Sequence, residues 1–573
     1  MKIMFIMASP EYLRFYDSTI RLLSERGHEV ALAVNSSREK KPVGLEGMAA
    51  LGENVHVLGV APAHEGLWDD IAYGLRGLTD FMRYLHPRFA EAPALRARMK
   101  RKATPVAFRG LDRIRSLPSG LVRRIVGFLA ACERAIPPAR GIVEFIQGHA
   151  PDAVLVSPLV DAASDQVDWI KGAQAAGVPS AVCVASWDNL TNKGLLRIEP
   201  DRVIVWNEPQ KREAVDYHYV APERVVTTGA QLFDRWFDRR VTRPRDEFCA
   251  HVGLPDARPY LLFTGSSSFI SESNAEVAFV RRWIAAVRGS GDAWIRDLGI
   301  VVRPHPYNCH AWEHADLSGF AGVAIYPRRG YNPVDEANRA DFFDSLYHSA
   351  AIVGINTSAM IEAAIVGRPV FSISAGEFAG TQEGTLHFHH LLPEHGGCVR
   401  IASSIDEHVR QLADRLRDPE AAHAETQRFV GSFIRPYGLD RPATPIVADA
   451  IEGVARLGRM APRNTPAWAY ALRPVIVEIA AMAAIIGWAQ GPSPMASARK
   501  RVRQLVHRLG KHAHRGRTMI TDRPRTAVRK AWKRTLRGTR QRAEQARRAR
   551  QTMTRRVRQV RHAVGDAVKD TQR

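Results

Sequence analysis

Two stretches of this chain place polar side chains directly after apolar runs of strand length. In the first, the run Gly299–Arg303 leads into Pro304, His305 and Pro306. A cation and an imidazole at the end of a strand can neutralise the charge of a diphosphate leaving group. We therefore predict that Arg303 and His305 contact ligand phosphates, with His305 also a candidate catalytic residue.

The second stretch reads as a strand, a polar turn and a helix. An apolar run at residues 351–353 stops at Gly354, and residues 359–366 favour a helix that ends at Gly367. The turn between them contains Asn356, Thr357 and Ser358. Free backbone N–H groups and the helix dipole favour an anion there, and Glu362 is placed to bind the sugar hydroxyls of a nucleotide. Because Thr and Ser are common N-caps, a simple capped helix is the alternative.

Strands alternate with helices in two successive blocks, which predicts two doubly wound parallel sheets. The predicted strands of the first block are Lys2–Met7, Glu29–Val34, Val55–Val60, Ala153–Ser157 and residues 180–185, 202–206 and 224–228, with a helix at 13–26. Those of the second block are residues 259–264, 299–303 and 351–353. Ligands of such sheets bind at the carboxyl ends of strands, so we expect the site in a cleft between the two domains. The predicted domains are residues 1–235, with a basic helical insert at 86–140, and residues 236–460.

Length and cysteine content limit the class of protein. At 573 residues the chain exceeds what one core supports, and with 45% apolar and 24% charged residues it is globular in composition. The five cysteines are widely spaced and without a CxxC pair, which argues for a reducing compartment and against structural zinc or disulfides. We expect no metal and no other cofactor. The loop after the first strand lacks GxGxxG, so it gives no evidence of dinucleotide binding.

The positive charge of the chain is confined to its C-terminal end. Residues 499–573 hold 26 Lys and Arg against 4 Asp and Glu, which equals the +22 of the whole chain, so the body is neutral. We predict a basic helical or disordered tail at 496–573 that suits an anionic membrane surface. Nucleic acid or another polyanion is the alternative partner, made weaker by the scarcity of aromatic residues for base stacking.

Two further segments bear on membrane contact. Residues 461–495 predict an apolar helix that packs or lies at an interface, because charges interrupt it before it reaches the length of a bilayer span. The helices of the basic insert predict either a solvated face or a surface that meets a membrane or an acceptor.

The combined motifs resemble those of the GT-B superfamily, and most closely those of CDP-glycerol glycerophosphotransferases and UDP-N-acetylglucosamine 2-epimerases. His305 and Pro306 match the HP pair that follows a strand in those families, and the run from Gly229 to Asp234 matches their motif at the domain crossing. Their nucleotide segment is matched by Asn356, Thr357, Ser358, Glu362, Gly367, Pro369 and Val370. The likeness covers roughly residues 150–400.

The resemblance implies a fold of two Rossmann-like domains facing a cleft, with the donor nucleotide in the second domain. The residues that would bind it are Arg303, His305, Asn356, Thr357, Ser358 and Glu362. Where the glycerophosphotransferases carry a histidine base after a strand, this chain has Asp188, which suits a base in inverting sugar transfer. Asp161 and Asp165 are rival bases, and an Asx-turn is the structural alternative for Asp188.

We therefore predict a glycosyltransferase that moves a sugar from a nucleotide-sugar donor to a surface polysaccharide or glycolipid acceptor. The alternatives are an enzyme like the UDP-N-acetylglucosamine 2-epimerases, a CDP-glycerol-type glycerophosphotransferase, or a nonenzymatic protein that binds the envelope or a polyanion. The predicted location is the cytoplasm, peripheral on the inner face of the membrane.

Overall fold

The structure is a computed structural model. It describes residues 1–35, 50–64, 67–102, 114–331, 335–463 and 465–490. Residues 1–487 form one compact unit. The predicted basic tail at 496–573 lies outside the described residues.

The first of two parallel sheets has seven strands. They are β1 (Lys2–Met7), β2 (Glu29–Val34), β3 (Val55–Val60), β4 (Ala153–Ser157), β5 (Ser180–Cys183), β6 (Arg202–Val205) and β7 (Val225–Thr227). Their order is β3-β2-β1-β4-β5-β6-β7, and Phe5 of β1 lies opposite Leu32 on one side and Leu155 on the other. The loops after β1 and β4 diverge because the strand order reverses there, which leaves a crevice.

The second sheet has six parallel strands. They are β8 (Tyr260–Thr264), β9 (Gly299–Arg303), β10 (Val323–Ile325), β11 (Ala351–Gly354), β12 (Val370–Ile373) and β13 (Val399–Ala402), in the order β10-β9-β8-β11-β12-β13. The sequence-based prediction of two doubly wound sheets is confirmed. Strands β10, β12 and β13 were not predicted.

Helices cover both faces of each sheet. Around the first sheet these are α1 (Asp17–Glu25), α2 (Leu67–Arg83), α3 (Pro93–Lys102), α4 (Ser119–Ala135), α5 (Arg140–His149), α6 (Val167–Ala176), α7 (Asn189–Asn192), α8 (Glu208–His218) and α9 (Asp234–Asp238). Around the second sheet they are α10 (Arg245–Val252), α11 (Ser273–Arg288), α12 (Ala293–Asp297), α13 (His310–Glu313), α14 (Glu336–Tyr347), α15 (Ala359–Ile365), α16 (Ile405–Leu416) and α17 (Pro419–Phe433). Then come α18 (Ala443–Ala455) and α19 (Ala467–Gln490). Short 3-10 helices are Pro10–Phe15, Pro87–Phe89, Pro222–Arg224, Gln231–Phe233, Leu386–Leu391 and Pro393–His395.

The segment after β1 differs from the single helix predicted at residues 13–26, and that prediction is wrong. The structure has the 3-10 helix Pro10–Phe15, a break at Tyr16 and then α1. The buried Tyr16 hydroxyl bonds to Ser157 Oγ and to the Cys183 carbonyl oxygen, each at 2.8 Å. These bonds hold Tyr16 in the core and interrupt the helix, so the residues before it form a separate turn at the carboxyl end of β1.

Helix α18 returns from the second sheet to pack on the first. Val447 and Ile451 of this helix join the same buried cluster as Ile3 and Phe5 of β1. The second domain was predicted as residues 236–460. The C-terminal end of that segment, helix α18, therefore packs with the first domain.

The crossing between the domains is fixed by Asp234. Its Oδ1 accepts a hydrogen bond from Arg435 Nη2 at 2.8 Å, and its Oδ2 accepts one from the Thr444 backbone N–H at 2.6 Å. Gly229 lies at φ +90°, and a Cβ there would be 2.8 Å from that of Ala443, so only glycine allows this close approach. The motif from Gly229 to Asp234 thus joins the domains, at the place the sequence indicated.

The insert at 86–140 is helical where the structure describes it, and α2 anchors it to the first domain. Buried Arg76 of α2 pairs with Glu133 of α4 and Asp168 of α6, each at 2.8 Å. Helix α19 packs on α2 and α4 through Ala469 and Ile476. Among the described helices, none is long and apolar enough to cross a membrane.

Candidate active site

One side of the candidate site lies at the carboxyl ends of β1, β4 and β5. Tyr12, from the 3-10 helix after β1, is close to Asp161, which follows β4, and to Asp188, which follows β5. Lys193 donates a hydrogen bond from Nζ to Asp161 Oδ1 at 3.1 Å. We call Tyr12, Asp161, Asp188 and Lys193 the charged cluster.

Interactions within the charged cluster keep Asp188 ionised. Burial would raise the pKa of Asp188, but the Lys193 ammonium holds it below its usual value. Burial would lower the pKa of Lys193, but Asp161, Tyr12 and Asp188 raise it. Burial raises the pKa of Tyr12 to about 12. At neutral pH the cluster therefore presents a carboxylate that can accept a proton from a hydroxyl group.

The turn after β5 fixes the backbone of Asp188. Asn189 Oδ1 accepts hydrogen bonds from the backbone N–H groups of Ala185 and Ser186, at 3.1 and 3.2 Å. Asp188 occupies the N-cap position of α7, but its side chain makes no capping hydrogen bond there. The structural alternative predicted that the Asp188 carboxylate closes this turn. The structure shows no capping hydrogen bond from that carboxylate.

Two contacts bring the second domain and the insert to Asp188. The neighbouring Trp187 packs edge to face on His387, with ring centroids 4.5 Å apart. Arg98 of α3 lies over the ring of Phe269, 4.6 Å from its centroid. Burial lowers the pKa of His387 to about 4, and Arg98 contributes to the lower pKa values of both His387 and Asp188. Asp188 therefore lies where three parts of the chain meet.

Each of the two rival aspartates has a close partner. Asp165 Oδ1 accepts a hydrogen bond from Asn35 Nδ2 at 2.5 Å. Asp161 is paired with Lys193 at 3.1 Å, so its carboxylate already has a cation beside it. Asp188 stays the candidate base: its carboxylate accepts bonds from Asn189 Nδ2, at 3.3 Å, and from the Ser186 side chain, but it has no direct ion pair in the described residues.

The other side of the site lies at the carboxyl ends of β9 and β11. His305 Nδ1 accepts a hydrogen bond from the Tyr307 backbone N–H at 3.1 Å, so the neutral ring carries its proton on Nε2. Burial, with a contribution from Arg14, lowers the pKa of His305 to about 4. At neutral pH His305 is therefore an uncharged hydrogen-bond donor and not the cation that could neutralise a phosphate.

Arg303 lies in a buried ion pair, apart from the other predicted residues. Its Nη1 donates to Asp341 Oδ2 at 2.9 Å, and its guanidinium lies over the ring of Phe342, 5.1 Å from the centroid. A buried guanidinium with this partner is costly to separate from it. The Nη2 of Arg303 has no hydrogen-bond partner in the described residues, so the predicted contact of Arg303 with phosphate stays a prediction.

Asn356 is buried and holds a loop of the second domain. Its Nδ2 donates to the Thr381 carbonyl oxygen and to Thr385 Oγ1, both at 3.1 Å. The amide nitrogen that was predicted to face the nucleotide is therefore engaged within the protein.

The three remaining predicted residues lie at the start of α15. Thr357 is half-buried and Ser358 is exposed, and the Ser358 side chain makes no capping hydrogen bond to the helix. Glu362 is half-buried one turn further on. Burial raises the pKa of Glu362 to about 8, although Arg235 and Arg14 act to lower it. The carboxyl group is therefore mostly protonated at neutral pH.

Two arginines approach this second-domain side from outside the second sheet. Arg14 belongs to the same 3-10 helix as Tyr12 and influences the pKa values of both His305 and Glu362. Arg235 of α9 donates from Nη2 to the Arg14 carbonyl oxygen at 3.2 Å. We call Arg14, Arg235, His305, Thr357, Ser358 and Glu362 the anion group.

Sequence reasoning missed four of these residues: Tyr12, Arg14, Lys193 and Arg235. Tyr12 and Arg14 follow the predicted strand Lys2–Met7, and this position was a signal that could have identified them. The loop was assessed only for the GxGxxG motif, which takes no account of its polar side chains. No sequence signal distinguishes Lys193 or Arg235 from other surface cations. Within the described ranges, no group of three or more His, Cys, Asp or Glu side chains is arranged to hold a metal ion.

A search of protein-family models found no match, and a search of curated proteins found none. Among solved structures, the chain is similar to the UDP-GlcNAc 2-epimerase from Neisseria meningitidis bound to UDP-GlcNAc, at 11% identity and a TM-score of 0.43 over 79% of this chain and 100% of that chain. It is similar to a glycosyltransferase from Rickettsia africae ESF-5, at 10% identity and a TM-score of 0.45 over 79% of this chain and 98% of that chain. At these scores the likeness carries no argument about function. The chain's own sheets show two doubly wound domains, with α18 returning from the second to pack on the first.

Proposed function

We propose that the protein is a glycosyltransferase that moves a sugar from a nucleotide-sugar donor to a surface polysaccharide or glycolipid acceptor. One observation carries this proposal: the 3-10 helix Pro10–Phe15 serves both sides of the cleft. Its Tyr12 belongs to the charged cluster, and its Arg14 belongs to the anion group. Two residues of one 3-10 helix, two positions apart, thus lie near the proposed base Asp188 and near the proposed phosphate site.

The anion group fits the nucleoside diphosphate part of a donor. Arg14 and Arg235 supply positive charge, and His305 supplies a neutral N–H donor at Nε2. The hydroxyls of Thr357 and Ser358 add hydrogen-bond donors for phosphate oxygens, and Glu362 is the residue for the ribose hydroxyls. Charge that develops on the departing diphosphate is stabilised by such donors when they are already in place.

The charged cluster fits the acceptor hydroxyl. In the transfer step, the acceptor oxygen forms a bond to the anomeric carbon of the sugar, while the bond from that carbon to the diphosphate oxygen breaks. The hydroxyl proton passes to Asp188, which is ionised before the reaction. Lys193 is paired with the neighbouring Asp161, so Asp188 is the carboxylate proposed to accept the proton.

The location proposed is the cytoplasmic face of a membrane. A surface polysaccharide or glycolipid precursor is presented there, and the 26 Lys and Arg of residues 499–573 suit an anionic lipid surface. Electrostatic attraction of this kind weakens with salt, so binding of vesicles through the tail is expected to fall as ionic strength rises.

A thermal-shift panel tests the donor assignment. UDP, GDP, CMP, CDP and dTDP sugars are added to the full chain, to Ser358→Ala and to Ser119→Ala, which removes an exposed hydroxyl from the first turn of α4. We expect one nucleotide to raise the melting temperature of the parent and of Ser119→Ala, and to do so much less for Ser358→Ala. No shift with any nucleotide would contradict the proposal and favour a protein that only binds the envelope.

The product identifies the reaction once a donor is known. Release of nucleoside diphosphate that depends on an added glycan acceptor supports sugar transfer. Turnover of the donor alone, with solvent deuterium entering the sugar, would show an epimerase instead. Release of CMP from CDP-glycerol would show a glycerophosphotransferase.

A further inference from the structure

Two neighbouring helices of the first domain expose an unusual number of large apolar side chains. Tyr470, Phe128 and Ile479 are 58%, 55% and 53% exposed. Trp468, Val475 and Leu121 are also exposed. Four of these six side chains belong to α19 and two to α4. Scattered apolar residues are normal on a protein surface, but a cluster marks a contact site.

The opposite side of α19 is already packed, so the orientation of the helix is fixed. Ala469 and Ile476 are buried against Cys132 and Ile136, at the end of α4 and just beyond it. Arg473 Nε donates to the Ala135 carbonyl oxygen at 2.8 Å. Trp468, Val475 and Ile479 recur at steps of seven and four residues and so share one flank of α19, whereas Tyr470 lies on another side of the helix, under Arg473.

The chemistry of the surroundings selects the partner. Arg124 of α4 is exposed between Leu121 and Phe128, and the chain beyond α19 carries 26 Lys and Arg against 4 Asp and Glu in residues 499–573. Such a charge repels a second copy of the same chain and attracts an anionic surface. Trp and Tyr side chains near one end of the helix favour the boundary between lipid headgroups and acyl chains.

We propose that a surface formed by Leu121, Phe128, Trp468, Val475 and Ile479 docks on an anionic lipid bilayer by inserting apolar side chains among the headgroups. We call it the α4–α19 surface. Helix α19 lies on the bilayer in this arrangement and does not cross it. Docking through these side chains is distinct from attraction of the basic tail, because apolar insertion persists in salt. It is also independent of which reaction the cleft catalyses.

Sedimentation of the full chain with vesicles separates the two contributions. Vesicles of phosphatidylcholine, with or without phosphatidylglycerol, are used at about 0.1 M and about 0.5 M NaCl, over which range charge screening becomes much stronger. We expect the parent to bind the anionic vesicles at both salt concentrations. A variant with Val475→Ser and Ile479→Ser is expected to bind at low salt but to lose roughly tenfold in partitioning at high salt, because two inserted side chains are removed.

A matched control uses apolar residues that are exposed elsewhere. Val241→Ser and Trp294→Ser change side chains that are 40% and 44% exposed, compared with 46% for both Val475 and Trp468. The control variant is expected to partition like the parent, and Trp468→Ser to partition less at high salt. The proposal would be overturned if, at high salt, the parent and the double variant Val475→Ser, Ile479→Ser partitioned equally onto the vesicles. It would also be overturned by a parent dimer in analytical ultracentrifugation that the same two substitutions dissociate, because a second copy would then cover the surface.

Discussion

The two sides of the cleft differ in their charge at neutral pH. The charged cluster of the first domain remains ionised, with the pKa of Asp188 held low and that of Lys193 held high. On the second-domain side, burial lowers the pKa of His305 to about 4 and raises that of Glu362 to about 8, so both are largely uncharged. The first-domain side therefore carries charged groups, whereas His305 and Glu362 offer mainly uncharged hydrogen-bonding groups.

The comparison also shows where the positive charge for a diphosphate comes from. The second domain has an arginine at the end of β9, but Arg303 is paired with Asp341 at 2.9 Å. The cations near His305 and Glu362 are Arg14, after β1, and Arg235, at the crossing between the domains. The positive charge near His305 and Glu362 is thus supplied by residues that precede the second sheet in the chain.

The largest expected effect is on the first-domain side. Asp188→Asn removes the proposed base and leaves the shape of the side chain, so we expect kcat for sugar transfer to fall about a hundred- to ten-thousand-fold. The affinity for the donor nucleotide, measured by calorimetry, is expected to stay unchanged because the anion group is intact. Asp161→Asn serves as the control. If Asp161→Asn causes the larger loss of kcat, the assignment of the base is wrong.

A second prediction concerns the cation that crosses the cleft. Arg14→Gln removes a charge from the anion group, and a hydrogen bond to a charged group contributes about 1.5–3 kcal/mol, so we expect the dissociation constant of the nucleotide to rise roughly ten- to a hundredfold. Arg21→Gln, an exposed arginine on α1, is the matched control and is expected to bind like the parent. Unchanged affinity in Arg14→Gln would mean that Arg14 does not contribute to binding of the phosphates.

The fold was more accessible to sequence reasoning than the site. Apolar runs bounded by turn residues gave the limits of β1, β2, β3, β4 and β9 as the structure has them. The short strands β10, β12 and β13 and the break at Tyr16 escaped, because hydrogen bonds across the sheet and the core decide them, and local pattern does not.

The site was only partly predictable because side chains at the ends of strands can face either way. Arg303 and His305 are two residues apart, yet Arg303 lies in a buried ion pair while His305 lies near Arg14. Asn356 occupies the predicted turn but bonds within its own domain. The sequence predicts that these side chains lie at one edge of a sheet. Which of them can contact a ligand depends on their hydrogen-bond and ion-pair partners within the protein.

The titration of Glu362 tests the neutral character of the second-domain side. Its pKa is raised from 4.5 to about 8, so between these pH values the unfolded chain loses a proton that the native chain keeps. Stability is therefore expected to fall as pH rises through this range. In Glu362→Gln that contribution is absent, and we expect the variant to melt a few degrees higher than the parent at the upper end of the range and equally at the lower end. Melting curves whose difference does not change with pH would show that Glu362 is ionised in the native protein.

The smallest effect is expected from Tyr12→Phe, and it tests whether the 3-10 helix Pro10–Phe15 serves the two sides separately. The phenol hydroxyl interacts with Lys193, and an ordinary hydrogen bond contributes about 0.5–1.5 kcal/mol, so we expect a loss of kcat of only a few-fold. Donor affinity is expected to be unchanged, because Arg14 keeps its place. In the double variant Tyr12→Phe, Arg14→Gln the two effects are expected to be independent. The first change lowers kcat and the second raises the dissociation constant of the nucleotide. If Tyr12→Phe alone weakens donor binding, the charged cluster and the anion group are coupled through this 3-10 helix. The difference in charge between them would then not correspond to separate roles in proton transfer and donor binding.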